Sequence, residues 1–270
     1  MALPDLSSYP QWMKVIGLQF DIEWEDKAAN FATVRRLLDK AQPERGSLVA
    51  LPEMFATGFS MNAASIAETS GGETEAFLSR TSREFQVTLL AGVAVRDRDG
   101  QARNKALAYA PDGELVCSYD KLRPFTPGGE DQHYAAGRRE AVFDWQGCTV
   151  SPFICYDLRF PELFRAVVAR RRPELFVVIA NFPTRRLTHW IQLLRARAIE
   201  NQAYMLGVNR VGDDPHDTYC GHSLMVDPLG EIIADAGESE GTVRGTLDLK
   251  NLAKYRDGLP FLNDLKWPPG

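Results

Sequence analysis

The sequence predicts a single α/β domain in which two packed sheets are covered by helices, and three observations carry this. Apolar runs of strand length alternate with segments of helical period, a pattern that means sheets sheathed by helices. There are more strands than one short open sheet accommodates. The 270 residues contain no repeat, low-complexity tract or linker, and one large α/β domain readily reaches that length.

Taken in order, Lys14 to Phe20 reads as the first strand. Lys27 to Ala41 repeats apolar positions at helical spacing, with Phe31, Val34, Leu37, Leu38 and Ala41 on one face. Ser47 to Leu51 is a second buried strand, followed by a loop rich in Phe, Gly and Met. Glu73 to Phe85 is helical, with Phe77, Leu78 and Phe85 turned inward. Val87 to Val95 and Lys105 to Ala110 read as strands around the turn Arg98-Asp99-Gly100, and Pro111-Asp112-Gly113 supplies the next turn. Leu115 to Leu122 is a strand with a charged tip. Arg123 to Gly137 is a long Pro/Gly loop, of a length that is usually functional or disordered. A hairpin turns around Asp144-Trp145-Gln146-Gly147, and its second strand runs Cys148 to Cys155. Pro161 opens a helix that reaches Arg170, proline being favoured in a first turn. Leu175 to Ala180 is an apolar strand and Leu187 to Gln202 a long helix. Tyr204 to Val208, Ser223 to Val226, Glu231 to Ala234 and Val243 to Leu247 are further strands. The domain is expected over 13–258, between tails at 1–12 and 259–270.

Composition narrows the class. Hydrophobic residues make up 44% and charged residues 25%, ordinary for a globular protein. A net charge of −5 argues against a general nucleic-acid binder. Met1 to Trp12 has no basic segment leading into an apolar run, and no stretch approaches the roughly 20 apolar residues of a membrane span. Cys117, Cys148, Cys155 and Cys220 are scattered without a C-x-x-C pair, which predicts reduced thiols rather than a disulfide framework or a zinc site. No Gly-rich phosphate loop is present. The expectation is a cytoplasmic protein without metal or cofactor, and without nucleic-acid or membrane partners.

Three segments carry chemistry. In Phe153-Ile154-Cys155-Tyr156-Asp157-Leu158-Arg159-Phe160-Pro161 an apolar strand ends at a cysteine and a helix starts shortly after. A thiol at such a turn is exposed beside backbone N–H groups that favour developing negative charge. Cysteine is also often a buried small hydrophobe, and this motif alone leaves both readings open. In Leu51-Pro52-Glu53-Met54-Phe55 a carboxylate follows a buried strand, and its apolar neighbours would desolvate it, as suits a general base. In Tyr119-Asp120-Lys121 a lysine at a strand end is placed to donate to an oxyanion. A solvated loop glutamate and a surface lysine are the commoner cases for each alone.

Together, Glu, Lys and Cys at successive strand ends resemble the signature segments of the nitrilase, or carbon–nitrogen hydrolase, superfamily. The likeness continues through Asn181-Phe182-Pro183, Thr188-His189-Trp190, Arg195 to Gln202, Gly221-His222-Ser223 and Asp227 to Glu231, and so spans nearly the whole chain. It implies a four-layer α-β-β-α sandwich and hydrolysis of a C–N bond through a cysteine thioester. Glu53 would be the base, Cys155 the nucleophile, and Lys121 with the backbone N–H of Tyr156 the oxyanion site. Glu130 matches a second glutamate of the family, with Asp131 beside it as the alternative. A homodimer is implied by the same resemblance.

Cys155 to Pro161, Asn181-Phe182-Pro183, His189-Trp190, Ala198 to Tyr204 and Gly207 to Gly212 look like the bacterial omega-amidases, which resemble the eukaryotic Nit-type amidases. Such enzymes hydrolyse omega-monoamides of dicarboxylates, among them 2-oxoglutaramate and 2-oxosuccinamate. Arg123, Arg185 and Arg186 are candidates for the distal carboxylate, and Phe59, Phe125, Asn181 and Phe182 for the substrate pocket, although aromatics there are more often core fillers. Asp157 and Arg159 are read as a structural pair, and Arg197 with Glu200 as a supporting charge network. His133 is read as a solvated loop histidine. Other members of the superfamily act on N-carbamoyl amines, aliphatic amides or nitriles, and the triad does not separate these. A non-catalytic binding protein on the same fold, or a redox sensor with Cys117 or Cys148 as resolving thiol, are the readings from other classes.

Overall fold

Successive residues of a strand point to opposite faces, so strands apolar at every position need cover on both sides. The computed structural model describes residues 12–267 and meets that demand with four layers. Most of the tail expected at 1–12, and the last three residues, lie outside the described residues.

The first sheet contains β1 (Met13–Gln19), β2 (Leu48–Ala50), β3 (Glu68–Thr69), β4 (Thr88–Arg96), β5 (Ala102–Tyr109), β6 (Leu115–Asp120) and, closing its far edge, β15 (Gly241–Leu247). Its order is β15-β1-β2-β4-β5-β6, with β3 beside β4. The second contains β7 (Phe143–Trp145), β8 (Cys148–Ile154), β9 (Leu175–Ile179), β10 (Tyr204–Val208), β13 (Leu224–Val226) and β14 (Ile232–Asp235), in the order β14-β13-β10-β9-β8-β7. A separate pair, β11 (Val211–Asp213) and β12 (Thr218–Cys220), stands apart.

Each sheet has three parallel strands at its heart, β1-β2-β4 and β8-β9-β10. Parallel neighbours need a crossover, and the helices supply it: α1 (Lys27–Ala41), α3 (Glu73–Phe85), α4 (Pro161–Arg171) and α5 (Leu187–Asn201). A short α2 (Ala63–Ile66) precedes β3, and α6 (Leu249–Gly258) follows β15. Beyond α6, Leu262 turns back into the core.

Alternation along the strands sorts the core. Val15, Leu48, Ala50, Leu90, Ala106 and Ala108 share one cluster with Leu206 and Val208 of the second sheet. Ile16, Leu18, Val49, Leu89 and Leu107 share another with Val34, Leu37 and Leu38 of α1 and Phe77 and Leu78 of α3. The sheets pack closely at Gly17, where an added Cβ would lie 2.8 Å from the Val208 side chain, and at Gly245, where it would lie 2.6 Å from that of Met225. On the outer side of the second sheet, Phe153, Phe164 and Phe176 stack under α4.

The expected helices form within a residue of their predicted bounds, because their apolar period is matched by a sheet to pack on. Three expectations need adjusting. The strand read to Cys155 stops at Ile154, and Cys155 opens a 3-10 turn. The fifth strand starts at Ala102 rather than Lys105, antiparallel to β4 throughout. The loop 123–137 is ordered by two 3-10 turns, Thr126–Gly128 and Glu130–Gln132. Elements α2, β3, β11, β12 and α6 were not anticipated. Among the described residues no helix is long and apolar enough to cross a membrane.

Candidate active site

The chemistry-bearing residues gather where strands end. β2 and β8 are central parallel strands, and β6 runs parallel to β4 after two antiparallel steps. The C-terminal ends of β2 and β6 therefore open on one side, and the hydrogen bonds from Asn181, just after β9, to Glu53 bring the same ends of the second sheet there, the usual place for a site in an α/β sheet.

Glu53 follows β2 on a turn clamped by β4. The Gly92 N–H donates to Pro52 O (3.2 Å), and the Phe55 N–H donates to Gly92 O (3.1 Å). Only glycine fits at 92, since a Cβ would sit 2.5 Å from Glu53 Cα and 2.6 Å from Met54 N. The carboxylate is 1% exposed, and Lys121 and Glu130 are as deeply sealed.

These groups form a closed ring. Lys121 Nζ donates to Glu53 Oε1 (2.8 Å) and Glu130 Oε2 (2.7 Å). Asn104 Nδ2 bridges the same pair, donating to Glu53 Oε1 (2.7 Å), the oxygen that Lys121 also reaches, and to Glu130 Oε1 (2.8 Å). Glu130 also accepts from the Phe125 N–H (2.5 Å), which holds the loop after Lys121 against the ring. Burial pulls down the Lys121 ammonium's hold on its proton, but Glu130 and Glu53 outweigh it, and the pKa is raised. Lysine has three N–H donors; two serve the carboxylates, and Nζ lies 5.1 Å from the Phe59 ring centroid. The neighbouring Asp131 is exposed, so Glu130 is the acidic group that the structure brings in.

Cys155 sits at the second sheet's edge with φ +44°, in the left-handed region. A non-glycine residue there carries strain of order 1–3 kcal/mol. The surroundings hold it in place. Asp157 Oδ2 accepts from the Ile154 N–H (3.0 Å) and from Tyr119 OH (2.8 Å), and its Oδ1 accepts from the Arg123 N–H (2.9 Å). One buried carboxylate thus ties the residue before Cys155 to the residues flanking Lys121. Burial pushes the Asp157 carboxyl up to about 7, against the pull of Lys121 and of these donors. The expected pairing of Asp157 with Arg159 is absent, because Asp157 turns inward onto Tyr119 and the Ile154 and Arg123 N–H groups; Arg159 Nη2 instead lies 3.1 Å from His189 Nδ1.

The thiol is partly exposed, unlike the charges beneath it. Burial pushes its pKa well up, and Glu53 adds to that more than Lys121 relieves it. Cys155 Sγ also lies 3.8 Å from Asn181 O. Tyr156 is the second residue of the 3-10 turn, where backbone N–H groups have no partner within the helix.

Asn181 connects the two sheets: its N–H donates to Glu53 Oε2 (2.9 Å) and its Nδ2 to Glu53 O (2.8 Å). Its donors are therefore engaged by Glu53. Phe125 stands edge-on to Tyr156 with ring centroids 5.0 Å apart, and Phe182 lies against Trp190 at 5.2 Å. Arg197 reaches Glu200 (3.0 Å) and Leu158 O (2.9 Å), the supporting network expected on α5. His133 is exposed. Cys117 and Cys148 are buried free thiols, and Cys148 opens the strand that Cys155 follows, at the opposite end. Neither is placed as a resolving partner. Asn104 was missed. Its signal was an asparagine on the inward face of β5, in register with Ala106 and Ala108, while Arg103 and Lys105 take the other face with Asp97 and Asp120.

A sandwich of two sheets with thiol, carboxylate and ammonium converging at their strand ends places the protein among the hydrolases. The chain belongs to the carbon–nitrogen hydrolase family, whose model matches residues 15–257. It is 40% identical over 256 residues to the omega-amidase YafV of Yersinia enterocolitica, covering 93% of this chain and 96% of the relative. It is 33% identical to the 2-oxoglutaramate amidase of Bacillus subtilis (strain 168), covering 92% and 96%. Among solved structures it resembles XC1258 from Xanthomonas campestris, a CN-hydrolase superfamily protein with an arsenic adduct in its active site. That match has a TM-score of 0.90 and 34% identity, with 96% and 99% covered.

Two outcomes are expected. Gly92→Ala displaces the Glu53 turn and lowers amide hydrolysis at least tenfold, while overpacking costs about 1–3 kcal/mol in chemical denaturation; full activity would show that the turn is not set by this contact. Asp157 holds its proton more tightly folded than unfolded, so its contribution to stability is present below about 4 and fades as pH rises through about 7. Asp157→Asn should remove that slope from denaturation midpoints measured between those limits, and an unchanged slope would assign it elsewhere.

Proposed function

We propose that the protein is an omega-amidase, hydrolysing the terminal amide of small omega-amido dicarboxylates such as 2-oxoglutaramate and 2-oxosuccinamate to the 2-oxo acid and ammonia. The observation that carries the chemistry is the sealed ring of Glu53, Lys121, Glu130 and Asn104 beside the partly exposed Cys155. The relatives named above support the substrate class.

In this reading Glu53 takes the Cys155 proton as sulfur attacks the amide carbon. A thiol whose pKa is raised is not a standing thiolate, so the base is needed at the moment of attack. Negative charge then grows on the carbonyl oxygen, and the third Lys121 N–H and the Tyr156 N–H donate to it. Glu53 passes its proton to the departing nitrogen, ammonia leaves, and a thioester remains. Water enters, Glu53 takes one of its protons, and a second tetrahedral intermediate collapses to carboxylate and thiol. Glu130 and Asn104 hold the ammonium and the base at fixed separation, and Asn181 fixes the far oxygen of Glu53. Phe59, Phe125 and Phe182 frame the acyl chain. The reading includes a cytoplasmic homodimer that uses no cofactor, and four free cysteines are in keeping with a reducing compartment.

The deciding experiment is ammonia release by wild type, Cys155→Ala and Glu53→Gln on 2-oxoglutaramate, 2-oxosuccinamate, glutamine, an N-carbamoyl amino acid and an aliphatic nitrile. Release that favours the oxo-acid amides and drops by at least about 10³-fold in either variant is expected. Preference for another member of the panel would keep the mechanism and replace the substrate; a fully active Cys155→Ala would remove both. A second measurement reads the thiol. The part of iodoacetamide alkylation lost in Cys155→Ala should keep rising with pH beyond the ordinary cysteine value of about 8.5. A plateau below neutrality would mean a preformed thiolate paired with Lys121.

A further inference from the structure

An enzyme for omega-amido dicarboxylates must hold a carboxylate at the far end of the substrate from the scissile amide. This inference rests on the functional reading above. Three arginines were candidates from sequence, and the structure separates them. Arg185 is bridged to Asp217. Arg123 faces Glu162 at 3.9 Å, with its guanidinium over the Phe160 ring. Arg186 has no carboxylate at ion-pairing distance among the described residues.

What Arg186 has instead is aromatic surface. Its guanidinium lies 5.2 Å from the Phe125 ring centroid and 5.9 Å from that of Phe182. Those two rings come from different loops, and each is chained to the reaction centre. Phe125 donates its N–H to Glu130 and touches Tyr156, the residue after the nucleophile. Phe182 follows Asn181, whose N–H donates to Glu53. A group lying over both rings is at the mouth of the site. Its guanidinium is also within electrostatic reach of Cys155.

A second cation stands beside it. Arg159, in the turn that carries Cys155, places its guanidinium 5.7 Å from the Phe182 centroid, and its recorded hydrogen-bond partner is a histidine nitrogen rather than an anion. The two arginines repel, and burial with the charge of Arg185 further lowers Arg186's hold on its proton. Asp217, whose field reaches Arg186, is engaged by Arg185. Partly buried cations stacked on rings and left without a counter-ion present N–H donors in a fixed fork, the geometry that recognises a carboxylate in bidentate fashion.

We infer that Arg186, seconded by Arg159, anchors the distal carboxylate of the substrate and so sets the preference for acidic over neutral amides. Phe125 and Phe182 hold the guanidinium plane, and the short acyl chain runs between that plane and Cys155. Anchoring acts on binding before chemistry, so its loss should appear mainly in KM.

The test compares succinamate with butyramide, which differ by a carboxylate in place of a methyl, alongside 2-oxoglutaramate, in wild type, Arg186→Met and Arg186→Lys. Arg186→Met should lower the ratio of kcat/KM for succinamate over butyramide by about 10- to 150-fold, the range for losing a hydrogen bond to a charged group. Arg186→Lys should recover part of it, and 2-oxoglutaramate should follow succinamate through KM. An unchanged ratio, or losses equal on both amides, overturns the anchor and leaves the omega-amidase reading standing. A wild type that turns over neither charged amide brings down that reading and the anchor with it. Cys155 alkylation by iodoacetamide, measured on each variant, shows that the site itself is intact.

Discussion

Two carboxylates share one buried ammonium, and much of the site follows from that arrangement. Glu53 and Glu130 are closed off from water with Lys121 between them. Buried charges are tolerable only when paired and fully hydrogen-bonded, and one lysine cannot neutralise two glutamates. The Asn104 amide donates to Glu130 Oε1 and, beside Lys121, to Glu53 Oε1, while the Phe125 N–H joins Lys121 at Glu130 Oε2 and the Asn181 N–H serves Glu53 Oε2. With one negative charge already in excess, a thiolate beside the ring would add a second. Burial first, with Glu53 and Glu130 adding to it, pushes the Cys155 thiol up rather than down, even with Lys121 close enough to oppose the shift. In the proposed mechanism such a site holds its nucleophile neutral until the carbonyl oxygen is ready to take up charge.

The ring needs rigid walls, and the two sheets provide them. Glu53 and Lys121 hang from the first sheet and Cys155 from the second, so their separation depends on how the sheets are joined. Asn181 and Asp157 make the junction with hydrogen bonds across it, to Glu53 and from Tyr119 and the Arg123 N–H. The strain of Met54 and Cys155, both at positive φ, is stored beside these junctions. It persists because β2 and β8 each continue into parallel neighbours that fix their ends.

Helices α1, α3, α4 and α5 were legible because their apolar faces repeat over three or more turns. Central strands were legible because they are buried on both sides and bounded by turn residues. What escaped lacks a local signature. α6 buries only Leu249 and Leu252 among its ten residues, too few to show a period. β11 and β12 are held by Arg210, which is fully buried and reaches Asp21, Ile22 O and Asp213 O from one nitrogen. Nothing in a three-residue segment announces such a partner. Glu53, Lys121 and Cys155 were visible as strand-end residues, whereas the partner of Asp157 was misread, since Tyr119 is remote in sequence and comes close only when the sheets pack. Asn104 was readable in principle from strand alternation, but a single inward asparagine carries no weight until its face is known to line a site.

Charge at the mouth is the counterpart of charge in the ring. The ring's excess negative charge repels an anionic substrate, and at a separation on the order of 10 Å with an effective dielectric of about 20 that repulsion is ~1.7 kcal/mol. A neutral amide would feel none of it. Unless opposed, the same ring that stabilises the reaction would therefore select against dicarboxylate monoamides by more than tenfold. In the proposed reading Arg159 and Arg186 lie on the side from which substrate comes, stacked on Phe182 and, among the described residues, without a carboxylate at ion-pairing distance. On that reading their two positive charges oppose the repulsion along the approach without entering the sealed ring. If the proposed anchor holds, the charge that runs the chemistry is separate from the charge that selects the substrate, and the choice among amides falls to a few residues after β8 and β9.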